Sequence, residues 1–544
     1  MFALLQRAFL LVFPFLWKDK SSKVATATTL LIILISTLAH TAAPWLFGQL
    51  IKFYNNSNPA YVSLITTLLI LCWGIRLTLS QLRHIVFFKV VNQAIRDIRM
   101  QVIMQLHRVP LEAWEGYGTI EIISANTRVS MSIRNFMHIS FVAILPALFK
   151  ISTFSIAMLH VNLCTWYFPP LVILTYGYVY FGMQSFLRSR YKLWEATDQV
   201  RTIMVDSLHN TKFSRFHLDT EEARLNKFFD TEAKRWFRNN AHQYTIHLIQ
   251  GALFILTAGG LIIHLVILLR AGQLTIPDFV IIKGYIFSIY TQAFQVTSHI
   301  RRLLSSVIDL KKVLDILALP TQHASAVLPM HTPISTIQEQ PILQAQDISF
   351  AYKNSGTAIL KNISLNIFRG DRVAITGTSG TGKSTLCHLL SGIYQPLQGA
   401  VLLYGRAMQH LSLSTIGRYV HFISQEAAIM TGSIADNLMA VPQTAQVMPL
   451  GYLKDRMNQS AGDEGKKLSG GEKQRILIAR CLTYKPEVLI LDEALSVLDE
   501  TSAQDLLKMI LAQVPTVILV THRQSFLKEF EHIYHLKEGK LVAT

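Results

Sequence analysis

The 544-residue sequence predicts a two-part membrane protein: an all-α domain of six membrane-spanning helices followed by an α/β P-loop nucleotide-binding domain. Three observations carry this prediction. Long charge-free runs fill the N-terminal part, and a Gly-rich phosphate loop lies in the C-terminal part. The formal net charge of +17 is also divided unevenly between them. Of the 51 Lys+Arg and 34 Asp+Glu, residues 341–544 hold 20 and 17, net +3, which leaves 31 and 17, net +14, for residues 1–340.

Composition removes several classes. The chain is 51% hydrophobic and only 16% charged, against about 25% charged in soluble domains, and its mean hydropathy is +0.33. Disorder needs low hydrophobicity. Four cysteines, Cys72, Cys164, Cys387 and Cys481, make no disulfide framework. A sequence pI near 9.6 suits nucleic acid or cationic loops beside a bilayer. The basic excess coincides with the apolar half, so the expected partner is the lipid bilayer, with no nucleic acid.

Residues 1–23 are apolar, lack a small-residue cleavage site and end in charges. They read as a cytoplasmic elbow helix at the interface, not a signal peptide. The transmembrane domain is expected over 24–314. Residues 24–51 and 53–75 are free of Asp, Glu, Lys and Arg and give two spans. Residues 151–187 hold 37 uncharged residues, too many for one crossing at about 20 per bilayer. With Pro169 and Pro170 inside this run, it divides into a third span, beginning near Phe136, and a fourth, joined by an outer turn at 162–170. Residues 239–269 form the fifth span, and 279–300, which carries Lys283, the sixth.

Eight Lys/Arg in 76–134 and eleven in 188–238 put both long loops, and both termini, in the cytoplasm. The helical periodicity of 90–109 and 221–239 predicts helices that continue the spans into the cytoplasm. Residues 315–340, rich in Pro, Ser and Thr, read as a linker, and 341–544 as the nucleotide-binding domain.

The phosphate chemistry is specific. Gly377, Thr378, Ser379, Gly380, Thr381, Gly382, Lys383, Ser384 and Thr385 follow the strand-like 372–376, the strand–GxxxxGK[ST]–helix context of a P-loop. The glycines turn backbone N–H groups toward phosphates at a helix N-terminus. Lys383 is expected to reach the β- and γ-phosphates of ATP, and Ser384 to ligate Mg²⁺. A second apolar strand, 488–491, delivers Asp492 for Mg²⁺ and Glu493 as the group that polarises the attacking water.

Between them lies Leu468-Ser469-Gly470-Gly471-Glu472-Lys473-Gln474-Arg475, which resembles the signature motif of ATP-binding-cassette (ABC) proteins. The resemblance extends in order to Tyr352 as the adenine-stacking aromatic, Gln425 as the Q-loop glutamine, Asp499 in the D-loop and His522 as the switch histidine. Gln425 then counts among both the catalytic and the Mg²⁺ residues. Six spans and one cassette resemble an ABC exporter half-transporter over essentially the whole chain. This implies a homodimer sandwiching two ATP, with Ser469, Gly470 and Gly471 acting on the partner's nucleotide. It also implies alternating access driven by coupling helices, placed at 111–123 and 213–219. An importer on the same fold and a heterodimer carry the same motifs, so direction and partner stay open.

Arg134-Asn135-Phe136, Ile144-Leu145-Pro146, 206–210 and Gln250 resemble the mitochondrial and heavy-metal-tolerance class, which handles glutathione-like compounds. The sequence departs at Lys150, where an acidic residue is expected, and at Gly462-Asp463-Glu464-Gly465. It departs again in the short stretch from Gln425 to Ser469. Polar groups at membrane depth are functional candidates, and Asn135, Lys150 and Gln250 are the substrate residues expected. One Lys150 per subunit favours an amphipathic or anionic organic solute, lipid or peptide conjugate. Without a mitochondrial transit pattern at the N-terminus, the expected location is a bacterial inner membrane.

Overall fold

The computed structural model describes residues 2–55, 59–109, 119–161, 168–319, 340–352, 357–424, 428–438, 453, 455–462 and 465–544. Two compact units divide the chain near residue 320.

The N-terminal unit is helical. Helix α1 (Phe2–Val12) and a 3-10 turn (Phe13–Leu16) form the elbow. Ala8, Val12, Phe15 and Leu16 are buried with Phe87, Val90, Val307 and Leu310. The elbow is tied down at Asp19, which accepts from the Ser22 N–H (2.6 Å) and the Gln93 side chain (2.7 Å). These bonds, Gln93 first, hold its carboxyl down at about 2.

Six long rods follow: α2 (Lys20–Asn55), α3 (Pro59–Arg108), α4 (Thr119–Met137) continued through a π-turn (His138–Ile144) into α5 (Leu145–Val161), α6 (Phe168–His209), α8 (Leu218–Arg270) and α9 (Ile276–Leu317). A short α7 (Thr211–Ser214) turns the corner before α8. Pro146 supplies a reason for the π-turn. It cannot donate to the carbonyl four residues back, and the Leu145 N–H bonds Ser140, five back. At 1.5 Å per residue the 50-residue α3 and the 53-residue α8 run about 75–80 Å, more than twice a bilayer core of about 30 Å. The periodic stretches expected in the cytoplasm are thus continuations of span helices.

Four rods are apolar and long enough to cross a membrane: 20–54, 59–108, 126–161 and 218–270. In α9, Lys283, Gln292 and Gln295 dilute the hydropathy. Much of the first half of α6 has no described side chains. The α2–α9 crossing is close. A Cβ on Gly48 would lie 2.2 Å from Ile281 Cγ1, and one on Gly284 3.0 Å from Pro44 Cβ, the small-residue contact that membrane helices favour. Tyr285 seals it by donating to the Thr41 carbonyl at 3.1 Å.

The C-terminal unit contains two sheets. One is antiparallel, ordered β2-β1-β4-β5, with β1 Leu343–Phe350, β2 Leu360–Ile367, β4 Gln398–Leu403 and β5 Arg406–Ala407. The other is ordered β10-β9-β3-β8-β7-β6. Its β3 (Arg372–Thr376), β6 (Val420–Ile423), β7 (Val488–Asp492), β8 (Thr516–Val520) and β9 (His532–Lys537) pair in parallel, and β10 (Lys540–Ala543) closes the edge antiparallel to β9. Every residue of β7 and β8 is buried, as sheets covered on both faces require. The carboxyl ends of β3, β7 and β8 therefore open together, where open α/β sheets place ligands.

Candidate active site

The P-loop leaves β3 and enters α10 (Lys383–Leu390). Gly377, Gly380 and Gly382 have φ of +149°, +81° and +100°, and Gly377 and Gly382 have no room for a side chain. A Cβ would meet the Leu536 carbonyl at 2.6 Å in the first case and Ile359 Cγ2 at 2.8 Å in the second. Lys383 is buried and its Nζ donates to the carbonyl oxygens of Gly377 and Thr378, each at 2.9 Å. The ammonium is thus curled into the loop's concavity, where a phosphate would replace the carbonyls. Ser384, in the first turn of α10, is near Asp492 at the end of β7. Burial pushes the Asp492 carboxyl above the usual carboxylate range, the Ser384 hydroxyl opposes this, and Glu493 beside it adds to the rise. A hydroxyl and a half-desolvated carboxylate at a helix N-terminus are oxygen donors that fit Mg²⁺ beside a triphosphate.

Glu493 stands at φ +50°, a conformation costly for a side-chain-bearing residue, held by its N–H bond to the Val520 carbonyl at 3.1 Å. Its Oε1 lies 2.9 Å from His522 Nε2. Two adjacent strand ends thus bring together the expected water-polarising carboxylate and the switch histidine, 29 residues apart in sequence. Tyr352 lies at the edge of the P-loop. Its hydroxyl shares a hydrogen bond with Thr385 Oγ1 (3.1 Å), and its ring stands edge-on to Phe350 and Tyr394 at 5.2 and 5.9 Å.

The signature residues begin another helix, α13 (Gly470–Thr483), which follows two short helices, α11 (Leu413–Ile416) and α12 (Ile434–Asn437). Ser469 caps α13 in a reciprocal box with Glu472: Ser469 N–H to Oε2 2.7 Å, Glu472 N–H to Ser469 Oγ 3.2 Å. Arg456 Nη1 donates to Glu472 Oε1 at 2.6 Å. The Ser469 N–H, above all, and then Arg456 hold the Glu472 carboxyl below its usual range. A Cβ at Gly470 would lie 2.6 Å from Val497 Cγ1, and one at Gly471 2.9 Å from Leu498 Cδ2. The signature glycines therefore sit directly on the D-loop of their own cassette. Asp499 caps α14 (Glu500–Gln513) through Ser502 N–H (3.0 Å) and accepts from Thr501 Oγ1 (2.7 Å). The first of these bonds leads in holding its carboxyl down at about 2.

Gln425 and the departures Asp463 and Glu464 lie outside the described residues, as does most of the 111–123 coupling segment. The 213–219 corner is described, with Phe213, Phe216 and Leu218 exposed. Of the substrate residues, Asn135 is exposed on α4 and Lys150 is half-buried on α5. Gln250 is buried, and its Nε2 donates to Thr297 Oγ1 at 2.9 Å, an interhelical bond between α8 and α9. No hydrogen bond joins any two of these three among the described residues. Two residues at the nucleotide site escape the sequence reading: Arg456, and Arg523, which lines one small cavity with Glu493, Ser496, His522 and Phe526. Arg523 was signalled only by its place after the switch histidine.

Comparison with known proteins agrees with this geometry. The family model described as "ABC transporter" matches residues 360–496, and that described as "ABC transporter transmembrane region" matches 27–294. An iron–sulfur clusters transporter of Oryzias latipes mitochondria is 24% identical over 97% of this chain and 75% of its own length. An ATM1-type heavy metal exporter of Novosphingobium aromaticivorans is 24% identical over 97% of this chain and 90% of its own. A solved structure of a bacterial Atm1-family ABC exporter with ATP bound superposes with a TM-score of 0.83 at 22% identity, covering 96% of this chain and 95% of that one. The cargoes in these names are iron–sulfur clusters and heavy metals, which the expected amphipathic or lipid class does not match. Six-rod membrane unit, complete cassette motifs and both family models converge: the chain belongs to the ABC transporter family, a half-transporter that fuses one transmembrane region to one ATP-hydrolysing cassette.

Proposed function

We propose that the chain is a homodimeric exporter of anionic organic solutes or peptide conjugates, driven by ATP hydrolysis, in a bacterial inner membrane with both termini cytoplasmic. The observation that carries the motor is the Glu493–His522 pair set beside the P-loop at the carboxyl ends of β7 and β8. In this reading Lys383 and the loop amides hold the phosphates. Ser384, Asp492 and Gln425 hold Mg²⁺, which neutralises phosphate charge when bound. Glu493 takes the proton of the attacking water, and His522 orients Glu493 toward it. Ser469, Gly470 and Gly471 complete the partner's site across the dimer, and each chain supplies every group needed for two equivalent sites.

The cargo class rests on charge. Lys150 is half-buried, and the charged groups that act on it are the cations Arg83 and Arg76. No acid faces it among the described ion pairs. Uncompensated cations in a membrane unit call for an anion. Thiolate complexes of metals are themselves anionic, so this reading also accommodates the cargoes named for the relatives. Asn135 stands as a cargo contact on its exposed face of α4. Gln250 acts from between α8 and α9, where its Nε2 bonds Thr297.

The test is Glu493→Gln in purified protein. ATP turnover should fall about 10²- to 10⁴-fold with nucleotide binding retained; turnover near the wild-type rate would remove Glu493 as base. Accumulation of an anionic thiol conjugate in inside-out vesicles checks the direction.

A further inference from the structure

The mechanism above uses His522 but not its neighbour. Arg523 has one of its guanidinium nitrogens shared between two D-loop carbonyls: Nη2 donates to Ser496 O at 2.9 Å and to Leu498 O at 2.8 Å. A second guanidinium nitrogen, Nη1, is 3.4 Å from Glu500 Oε2, in the first turn of α14. The guanidinium lies 5.6 Å from the centroid of the buried Phe526 ring, and the Arg523 N–H donates to Thr521 Oγ1 at 3.1 Å. One side chain thus holds the loop after β8 to the loop after β7. Between those carbonyls is Val497, and beside it Leu498, the two residues against which Gly470 and Gly471 are closed.

We propose that Arg523 is a positioning residue that couples the two ATP sites of the dimer. Movement of the His522 loop on the cassette's own γ-phosphate is carried by the guanidinium to the carbonyls of Ser496 and Leu498. From there Val497 and Leu498 transmit it to the start of α13, whose Ser469 and Gly471 serve the partner's nucleotide. The geometry suits transmission. The clasped carbonyls bracket the contact residues, and the glycines pack so closely on them that an added Cβ would come within 2.6 and 2.9 Å of Val497 and Leu498, so the two segments are packed to move together. Arg is suited to this work because its planar fork reaches carbonyls and carboxylate at once while stacking on a ring. A lysine supplies donors to the carbonyls without the fork or the stack. Arg523 touches no reacting atom, so its effect is on turnover and on communication between sites.

The inference rests on the dimeric ATPase reading, and the experiment separates the two. ATP turnover by the full-length protein is measured against ATP concentration for wild type, Arg523→Ala, Arg523→Lys and Glu493→Gln, with nucleotide binding measured in parallel. Arg523→Ala should lower kcat roughly 10- to 100-fold, the scale of a misplaced catalytic geometry. KM should change little, and the Hill coefficient should fall to one. Arg523→Lys should restore part of kcat and of the Hill coefficient. Wild-type kcat and Hill coefficient in Arg523→Ala overturn the proposal. So does a lowered Tm with kcat per folded protein unchanged, which marks a merely structural clasp. If Glu493→Gln also turns over normally, the ATPase reading itself has failed; if only Arg523→Ala does, the coupling has.

Discussion

At the scale of single residues, Tyr352 separates two roles that one side chain combines. Its ring is buttressed edge-on by Phe350 and Tyr394, and its hydroxyl meets Thr385 of the P-loop. If the ring is the adenine platform, Tyr352→Ala should raise the KM for ATP by about 5- to 160-fold, from a base–aromatic stacking energy of about 1–3 kcal/mol. Tyr352→Phe should stay near wild type; a loss in both would assign the role to the hydroxyl instead. Tyr352 was reached only through the family resemblance, whereas the phosphate loop and the acidic pair were marked by local chemistry: Gly377 to Thr385 form one stretch, and Asp492 and Glu493 follow one another at a strand end. Arg523 and Arg456 were not. Arg523 bonds carbonyls 25 and 27 residues away, and a carbonyl acceptor leaves no mark in the sequence. The Arg456–Glu472 pair spans 16 residues across an irregular segment with no periodicity to follow.

At the scale of elements, two of the three cassette helices that present functional residues start on a side-chain cap, while the third, α10, starts on Gly382 in the phosphate loop. Ser469 and Glu472 cap α13, and Asp499 caps α14. The first could be read from the spacing Ser-Gly-Gly-Glu. The π-turn before Pro146 could not, because a proline inside an apolar helix is as compatible with a kink or an end. The caps make a pH prediction. Asp499 is held at about 2 in the folded protein, below its usual value near 4. Its contribution to stability is therefore fully present above pH 4 or so and is lost as pH falls through the folded value toward 2. Glu472, also depressed, has the same sign. Melting curves of the full-length protein through the acid range should show Tm falling below about pH 4. Asp499→Asn, which caps without titrating, should flatten part of that fall. An unchanged acid slope would mean that Asp499 contributes nothing to it.

At the scale of the whole molecule, the excess of basic residues divides into cations beyond the apolar runs and a few within them. The N-terminal part carries +14 and the cassette part +3, and most of the excess lies on the long helices where they continue beyond the apolar runs. The orientation proposed above, with these stretches in the cytoplasm, would account for those loop cations. It does not account for Lys150, which stands half-buried within an apolar helix, subject to Arg83 and Arg76. The long apolar helices were legible because bilayer thickness imposes a length on every apolar run. The grouping of Lys150 with Arg76 and Arg83 was not, because it joins α5 to α3, far apart in sequence. Reversing one such charge tests it. At an effective dielectric of about 20 and a separation of about 8 Å, a unit charge acts on an anion with about 2 kcal/mol, or about thirtyfold in affinity. Lys150→Glu should therefore raise the concentration of anionic thiol conjugates needed to stimulate ATPase by at least that factor and leave basal turnover in place. Neutral analogues should be indifferent to the change. If the anion series responds no differently from the neutral one, Lys150 serves the helix bundle and not the cargo.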